Sequence, residues 1–440
     1  MNNKKWMAIL LGGIMAASLA APCSVSAAEK TTLTFWHAMG GTNGEVLQQI
    51  VDDFNASQDE IEIKAEYQGT YDDTITKLKA AMQSDSGLPD VCQMYDVGTK
   101  FMYDSGAVIP VEDKFESTGY DKSSVMEVIS SYYTVDGKQY AMPFNVSTPM
   151  LYYNKDVFEA AGLDPETPPT TYDEVLEDAK KIVESGAAPV GYSQAIYGWF
   201  FEQQLAGLGV TYGNNDNGRK EAVTAVDFDS NGGGLKVFDM WKKLYDSGCF
   251  EDYGTTTADT QTAFFSGQVG MIIESTAILK NAVDSSPFEV GTGYLPRIEQ
   301  NDEGGVIIGG GSLWLTDTGN EANEDAAWKF IEYITTPDVQ AKWSMGTGYF
   351  AINEKAYETE DMKAYLKENP NFETAINQLK DSPVNCNTAG VLSGVQTEAR
   401  LTFNELMPQV YDGKLTTQDA VDQLAVSVNK AIENYNESIK

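Results

Sequence analysis

The chain is poor in histidine, cysteine and basic residues, and each shortage removes a class of function. Its single histidine, His37, excludes His-rich metal sites, and nothing marks a serine or cysteine partner for it in nucleophilic catalysis. Of the 4 cysteines, Cys23 lies in the leading segment, which leaves Cys92, Cys249 and Cys386. No CxxC or His-bearing spacing occurs, so no metal and no cofactor are assigned; one disulfide and buried free thiols stay equally open. The 30 basic residues face 65 acidic ones, which argues against nucleic acid, whose phosphates need basic partners. Such acidity keeps a protein soluble, and any anionic ligand would have to be held by local dipoles and a few cations. Beyond residue 28 no apolar run approaches the roughly 20 residues needed to span a bilayer.

What is present is a globular composition. With 42% hydrophobic and 11% aromatic residues, 440 positions are enough for more than one core. Residues 1–28 read as an export signal: Lys4 and Lys5, an apolar stretch from Met7 to Ala21, then small residues at Val25-Ser26-Ala27 or Ser26-Ala27-Ala28. The expectation is an exported, periplasmic or cell-surface protein. Acylation at Cys23 is the alternative, for which Pro22 is a poor neighbour.

The first hundred residues alternate strand and helix. TTLTFWHAM at Thr31 to Met39 is an apolar strand, and Val46, Leu47, Ile50, Val51 and Phe54 then share a helical face. IEIKAEY at Ile61 to Tyr67 alternates as a strand; Tyr71, Ile75, Leu78 and Met82 recur at helix spacing; PDVCQMY ends at Tyr95. This grammar predicts an α/β fold with a parallel sheet, whose ligands sit beyond the carboxyl ends of the strands. The loops Trp36 to Asn43, Gly69 to Tyr71 and Asp96 to Lys100 become candidate binding loops.

Later segments add punctuation. MLYY at Met150 to Tyr153 reads as a buried strand, and Thr171 with Glu174 as a capping box. Tyr192, Tyr197, Trp199 and Phe200 cluster, more as core than as site. DFDSNGG at Asp227 to Gly233 begins like a calcium loop, but the twelfth position is Phe238 where a glutamate is required, so it is read as a turn into a helix. VIIGGGSLWL at Val306 to Leu315 is a strand broken by glycines; no GKS or GKT follows, and the glycines would let a ligand approach backbone N–H groups. Thr416 to Lys440 is a capped helix.

The string YYNKD-x-F-x-x-AGLDP-x-x-PP-T at Tyr152 to Thr170 resembles the first lobe crossing of family 1 solute-binding proteins of ABC importers. FWHAM, GTYDD, QMYDVGT, PFNVSTPMLYYNKD, IIGGGSLW, GTGYFAIN and SGVQTEARLTF extend the likeness over nearly the whole chain. They are similar to the glycerol-3-phosphate-binding branch of that family.

The resemblance implies a two-lobed periplasmic-binding-protein fold of type II, with a hinge and a ligand cleft between lobes. The expected first lobe is 29–140 plus 280–335 and the second 141–279 plus 336–440. It implies no catalysis, a monomer, a small-molecule ligand and a membrane permease as partner. Carried over by position, the ligand residues are Tyr71, Asp96, Ser147, Ser275, Gly310, Tyr349 and Arg400, with Trp36 and Trp199 as candidate stacking residues. Arg400 would offer phosphate a planar fork of donors. Asp96 departs from the glutamate of that branch, which shortens its reach toward glycerol hydroxyls. Two rivals stand beside this reading. An oligosaccharide binder of the same fold would stack sugars on Trp36, Tyr197 and Trp199 and have little need of Arg400. A secreted glycoside hydrolase would need paired carboxylates across a cleft, and no motif marks such a pair.

Overall fold

The computed structural model describes residues 30–84 and 87–440. The export signal and Cys23 lie outside the described residues.

Two sheets organise two lobes. Strand β1 (Thr31–His37) alternates so that Leu33, Phe35 and His37 turn inward. It pairs in parallel with β2 (Ile61–Tyr67) and β3 (Val91–Tyr95), with the helices Gly41–Ser57 and Tyr71–Met82 as crossovers. The two-residue strand β4 (Val108–Ile109) lies at the far edge, and a small hairpin of β5 (Thr134–Val135) and β6 (Lys138–Gln139) follows. β7 (Met142–Ser147) belongs to this first sheet, while β8 (Pro149–Asn154) opens the second with β9 (Val190–Ser193), β10 (Val269–Ser275) and β11 (Val290–Gly293). β12 (Gly309–Thr316) returns to the first sheet, antiparallel between β3 and β4, with β7 also paired to it.

The chain therefore crosses between lobes at Thr148, one residue between two buried strands. Its amide donates to Thr276 Oγ1 at 3.1 Å, and the Thr276 amide donates back to the Thr148 carbonyl at 2.8 Å. This reciprocal pair ties the crossing to the end of β10.

Sheet membership differs from the expected lobe boundaries in three places. Residues 142–147 pair with the first sheet, 290–293 with the second, and the helix Pro337–Thr347 packs its Trp343 on Phe144 of β7 in the first core. Alternation shows which face of a strand is buried but not which sheet receives it, so the sequence pattern leaves the sheet of these segments open.

Local signals after the crossing do hold. Asn154 caps the helix Lys155–Ala160, its Oδ1 accepting from the Val157 amide at 3.1 Å. The Thr171–Glu174 capping box closes in both directions at 3.2 and 3.1 Å and starts the helix Tyr172–Ser185. Asp227 to Gly232 turns into the helix Gly233–Asp246, and among the described residues no group of metal-capable side chains assembles there or elsewhere. Cys92, Cys249 and Cys386 are free thiols. No helix of the described residues is long and apolar enough to cross a membrane.

Candidate functional site

Four strand ends converge between the lobes. Asp96 follows β3, Ser147 ends β7, Ser275 ends β10, and Gly309 and Gly310 begin the antiparallel β12. They surround a cavity of about 250 Å³. Tyr71, Tyr349 and Arg400 complete its wall, so all seven residues expected at the ligand line one cavity, contributed from both lobes.

The first lobe holds its part by a chain of amides. The Ala38 amide donates to Gln93 Oε1 at 2.8 Å, Gln93 Nε2 to Asn145 Oδ1 at 2.7 Å, and Asn145 Nδ2 to the Tyr71 hydroxyl at 2.6 Å. The Tyr71 ring also stacks on Tyr95 with centroids 5.1 Å apart. Gly310 stands at φ 95°, and a β-carbon there would lie 1.8 Å from the Asn145 carbonyl oxygen. Only glycine permits that approach. Tyr349 stacks on Trp343 at 5.7 Å, and burial raises both the Tyr71 and Tyr349 phenols, which keeps them protonated as donors.

Arg400 comes from the helix Gln396–Tyr411 of the second lobe and is buried. Gly198 makes room for it, since a β-carbon there would sit 2.5 Å from the Arg400 Cα. Its Nε and Nη2 donate to Glu202 Oε1 and Oε2 at 2.8 and 2.7 Å, and Nη2 also reaches Asp96 Oδ2 at 3.1 Å. The last bond crosses between lobes. Burial raises the Glu202 carboxyl and the guanidinium opposes that shift. With both oxygens accepting from a cation, the geometry holds the carboxylate form. Gln396 Nε2 adds a third donor at 3.0 Å.

Trp199 lines the cavity with its indole Nε1 buried and unpartnered, pressed close by the bare backbone of Gly309. Trp36 is elsewhere: its Nε1 donates to Glu66 Oε2 of the neighbouring strand β2 at 3.0 Å, and it is not part of the wall. Strand alternation turns Trp36 away from the face that buries Phe35 and His37. His37 is buried, accepts the Met39 amide on Nδ1 at 3.3 Å, and burial holds its imidazole down to about 4.

Three groups at or behind the wall were not foreseen. Glu202 stands out only as an acid in the apolar run WFFEQQL. Glu274 is an acid closing the apolar strand VGMIIE, and Tyr95 supports Tyr71 by stacking. A larger depression of about 700 Å³ borders Arg219, but that arginine spends its hydrogen bonds on backbone carbonyls.

A family model described as bacterial extracellular solute-binding protein matches residues 49–374. The sn-glycerol-3-phosphate-binding periplasmic protein UgpB of Escherichia coli K12 is 31% identical over 417 residues, covering 93% of this chain and 94% of that protein. The protein of the same name from Shigella dysenteriae serotype 1 is 30% identical over 420 residues, with 93% and 94% covered. Among solved structures, UgpB from Mycobacterium tuberculosis in complex with glycerophosphocholine superposes with a TM-score of 0.79 at 20% identity, covering 92% and 99% of the two chains. The cyclic α-maltosyl-1,6-maltose binding protein of Arthrobacter globiformis gives 0.76 at 26% identity, covering 92% and 100%. With a cavity walled by both lobes and the family model spanning most of its length, the chain belongs to the bacterial extracellular solute-binding proteins and is the solute-binding component of an ABC importer, not an enzyme.

Proposed function

We propose that the protein captures a small phosphorylated glycerol compound in the periplasm, glycerol 3-phosphate or a glycerophosphodiester, and delivers it to a membrane permease after its lobes close. One observation carries this reading. Among the described residues Arg400 is the one cation lining the cavity, buried in a wall that also offers neutral donors from Ser147, Ser275, Tyr71, Tyr349 and the Gly310 backbone, with Asp96 and Glu274 as its carboxyls. Its bonds to Glu202 and Asp96 use Nε and Nη2, which leaves the Nη1 edge for a phosphate oxygen. Relatives named for glycerol 3-phosphate support it, as does the glycerophosphocholine complex of similar fold.

Charge refines the choice. Glu202 and Asp96 together outweigh Arg400 by one negative charge, and Glu274 adds another carboxyl to the wall. Such a site opposes a phosphate monoester, which is close to doubly charged at neutral pH, more than a singly charged diester. The diester is therefore the favoured ligand. Contacts with both lobes make ligand binding and closure the same equilibrium. The sugar-binding reading draws on one feature, the aromatic wall of Tyr197 and Trp199 beside carboxylates.

Calorimetry of the mature protein with glycerol 3-phosphate, glycerophosphocholine and maltose separates the readings. We expect a phosphate compound to bind, and Arg400→Ala to lose about 2 kcal/mol or more, the cost of removing one partner of a buried charged contact. Maltose binding that ignores the substitution, with no phosphate compound bound, would establish the sugar reading instead.

A further inference from the structure

Glu274 is a buried carboxylate in the cavity wall that no cation accompanies. It lies at the end of β10 on the face of Ile272, which turns it toward the cleft and away from the second core holding Met271 and Ile273. Its oxygens each accept one hydrogen bond, Oε1 from the Ser275 amide at 2.7 Å and Oε2 from Gln261 Nε2 at 3.0 Å. Both donors are neutral. Among the described residues no lysine, arginine or histidine forms an ion pair with it; the cavity's one guanidinium, Arg400, is paired with Asp96 and Glu202.

This arrangement is costly without a ligand, because a buried charge needs a countercharge as well as hydrogen bonds. Burial accordingly pushes the Glu274 carboxyl up from its ordinary value. Each oxygen still has a lone pair to offer, but what neither neutral donor supplies is positive charge. Beside Glu274 the wall offers the ring of Trp199, of a kind that attracts cations, while the Tyr197 ring already faces the Arg400 guanidinium, 5.9 Å from its centroid.

We infer that Glu274 is a specificity-determining residue whose carboxylate receives a cationic group of the ligand while Arg400 holds its anionic group. The inference rests on the phosphodiester reading and narrows it: the preferred ligands are zwitterionic diesters whose second alcohol carries an ammonium group. Such a ligand brings no net charge to a site whose own balance is negative. It places each of its charges opposite a protein charge of the other sign.

The test compares three diesters that share the glycerophosphate half: glycerophosphocholine, glycerophosphoethanolamine and glycerophosphoglycerol. Calorimetry is run on the mature protein and on Glu274→Gln, which keeps the shape and an acceptor for the Ser275 amide but removes the charge. In the wild type the two ammonium diesters should bind at least about tenfold more tightly than the glycerol diester, the scale of one partly screened charge pair. In the variant that preference should shrink to within about twofold, with cooperative thermal unfolding showing that the fold is kept. An ammonium preference unchanged by the substitution, or three diesters weakened in equal proportion, would overturn the role of Glu274 and leave the phosphodiester reading standing. Failure of all three to bind the wild type would overturn both.

Discussion

Glu202→Gln removes one negative charge directly behind the guanidinium that we assign to the phosphate. In the structure both Glu202 oxygens are bonded to Arg400, at 2.8 and 2.7 Å. A phosphate on the Nη1 edge would stand roughly 6 to 7 Å from that carboxylate, which at an effective dielectric of about 20 means roughly 2.5 kcal/mol of repulsion per ligand charge. A monoester carries nearly one charge more than a diester, so the substitution should favour the monoester selectively. Relaxation and water reduce the figure, and we expect the ratio of the two dissociation constants to move toward glycerol 3-phosphate by about tenfold, or about 1.4 kcal/mol. Both ligands are titrated calorimetrically into wild type and variant. The ratio is the useful readout, because any displacement of Arg400 weakens both ligands through the same phosphate contact. The variant should also lose about 3 kcal/mol or less of stability, since the amide keeps one acceptor and Asp96 still faces the arginine. A ratio that stays constant or moves toward the diester, in a variant that unfolds cooperatively, would refute the electrostatic argument.

The only histidine supplies a pH signature. Burial lowers His37 from 6.5 to about 4, so the unfolded chain takes up this proton at higher pH than the native one. Its contribution to stability is complete above pH 6.5 and is lost as pH falls toward 4. Buried carboxyls such as Glu202 and Glu274 are shifted up and act with the opposite sign, so the check is a difference. The stability gap between wild type and His37→Gln, from urea titrations, should fall steadily across that window, and a flat gap would contradict the assignment. Arg219 tests the inter-lobe scaffold. Its guanidinium donates to the carbonyls of Tyr132, Thr134, Ala389 and Gly390, and burial lowers it to about 10. Arg219→Leu leaves buried carbonyls without donors and should cost at least about 3 kcal/mol. Hydrogen exchange should quicken around residues 387–392, and unchanged exchange there would show that the carbonyls find other partners.

The parts of the fold legible in the sequence are those decided within one or two turns of chain. Thr171 and Glu174 form their capping box because both partners lie three residues apart. IEIKAEY becomes β2 because its alternation buries Ile61 and Ile63 and exposes Glu62 and Lys64. Where the decision is made across the molecule, local pattern is silent. β7 and β8 are separated by Thr148 alone and both are buried throughout, yet they join different sheets. Nothing in their composition distinguishes a partner in β12 from one in β10.

The site divides along the same line. Arg400, Ser147, Ser275, Gly310 and Tyr349 came from residue matches to a family, and the structure gathers them with Tyr71 and Asp96 around one cavity. Periodicity alone places Arg400 on a helix without saying what its guanidinium meets. What no match conveyed is the charge that surrounds the arginine. Glu202 lies 198 positions from Arg400 and Asp96 lies 304 positions away, and both meet it only when helices of one lobe and a strand end of the other come together. The shortened side chain at Asp96 was expected to matter through reduced reach toward a glycerol hydroxyl. In the structure its Oδ2 is instead engaged by Arg400 and its Oδ1 by the Val97 amide. A residue carried over as an acceptor for ligand is thus also a countercharge to the residue carried over as a donor. The ligand must either share Asp96 with Arg400 or displace it, so affinity depends on how much of that inter-lobe bond survives closure. The balance favours ligands that contribute a positive charge of their own.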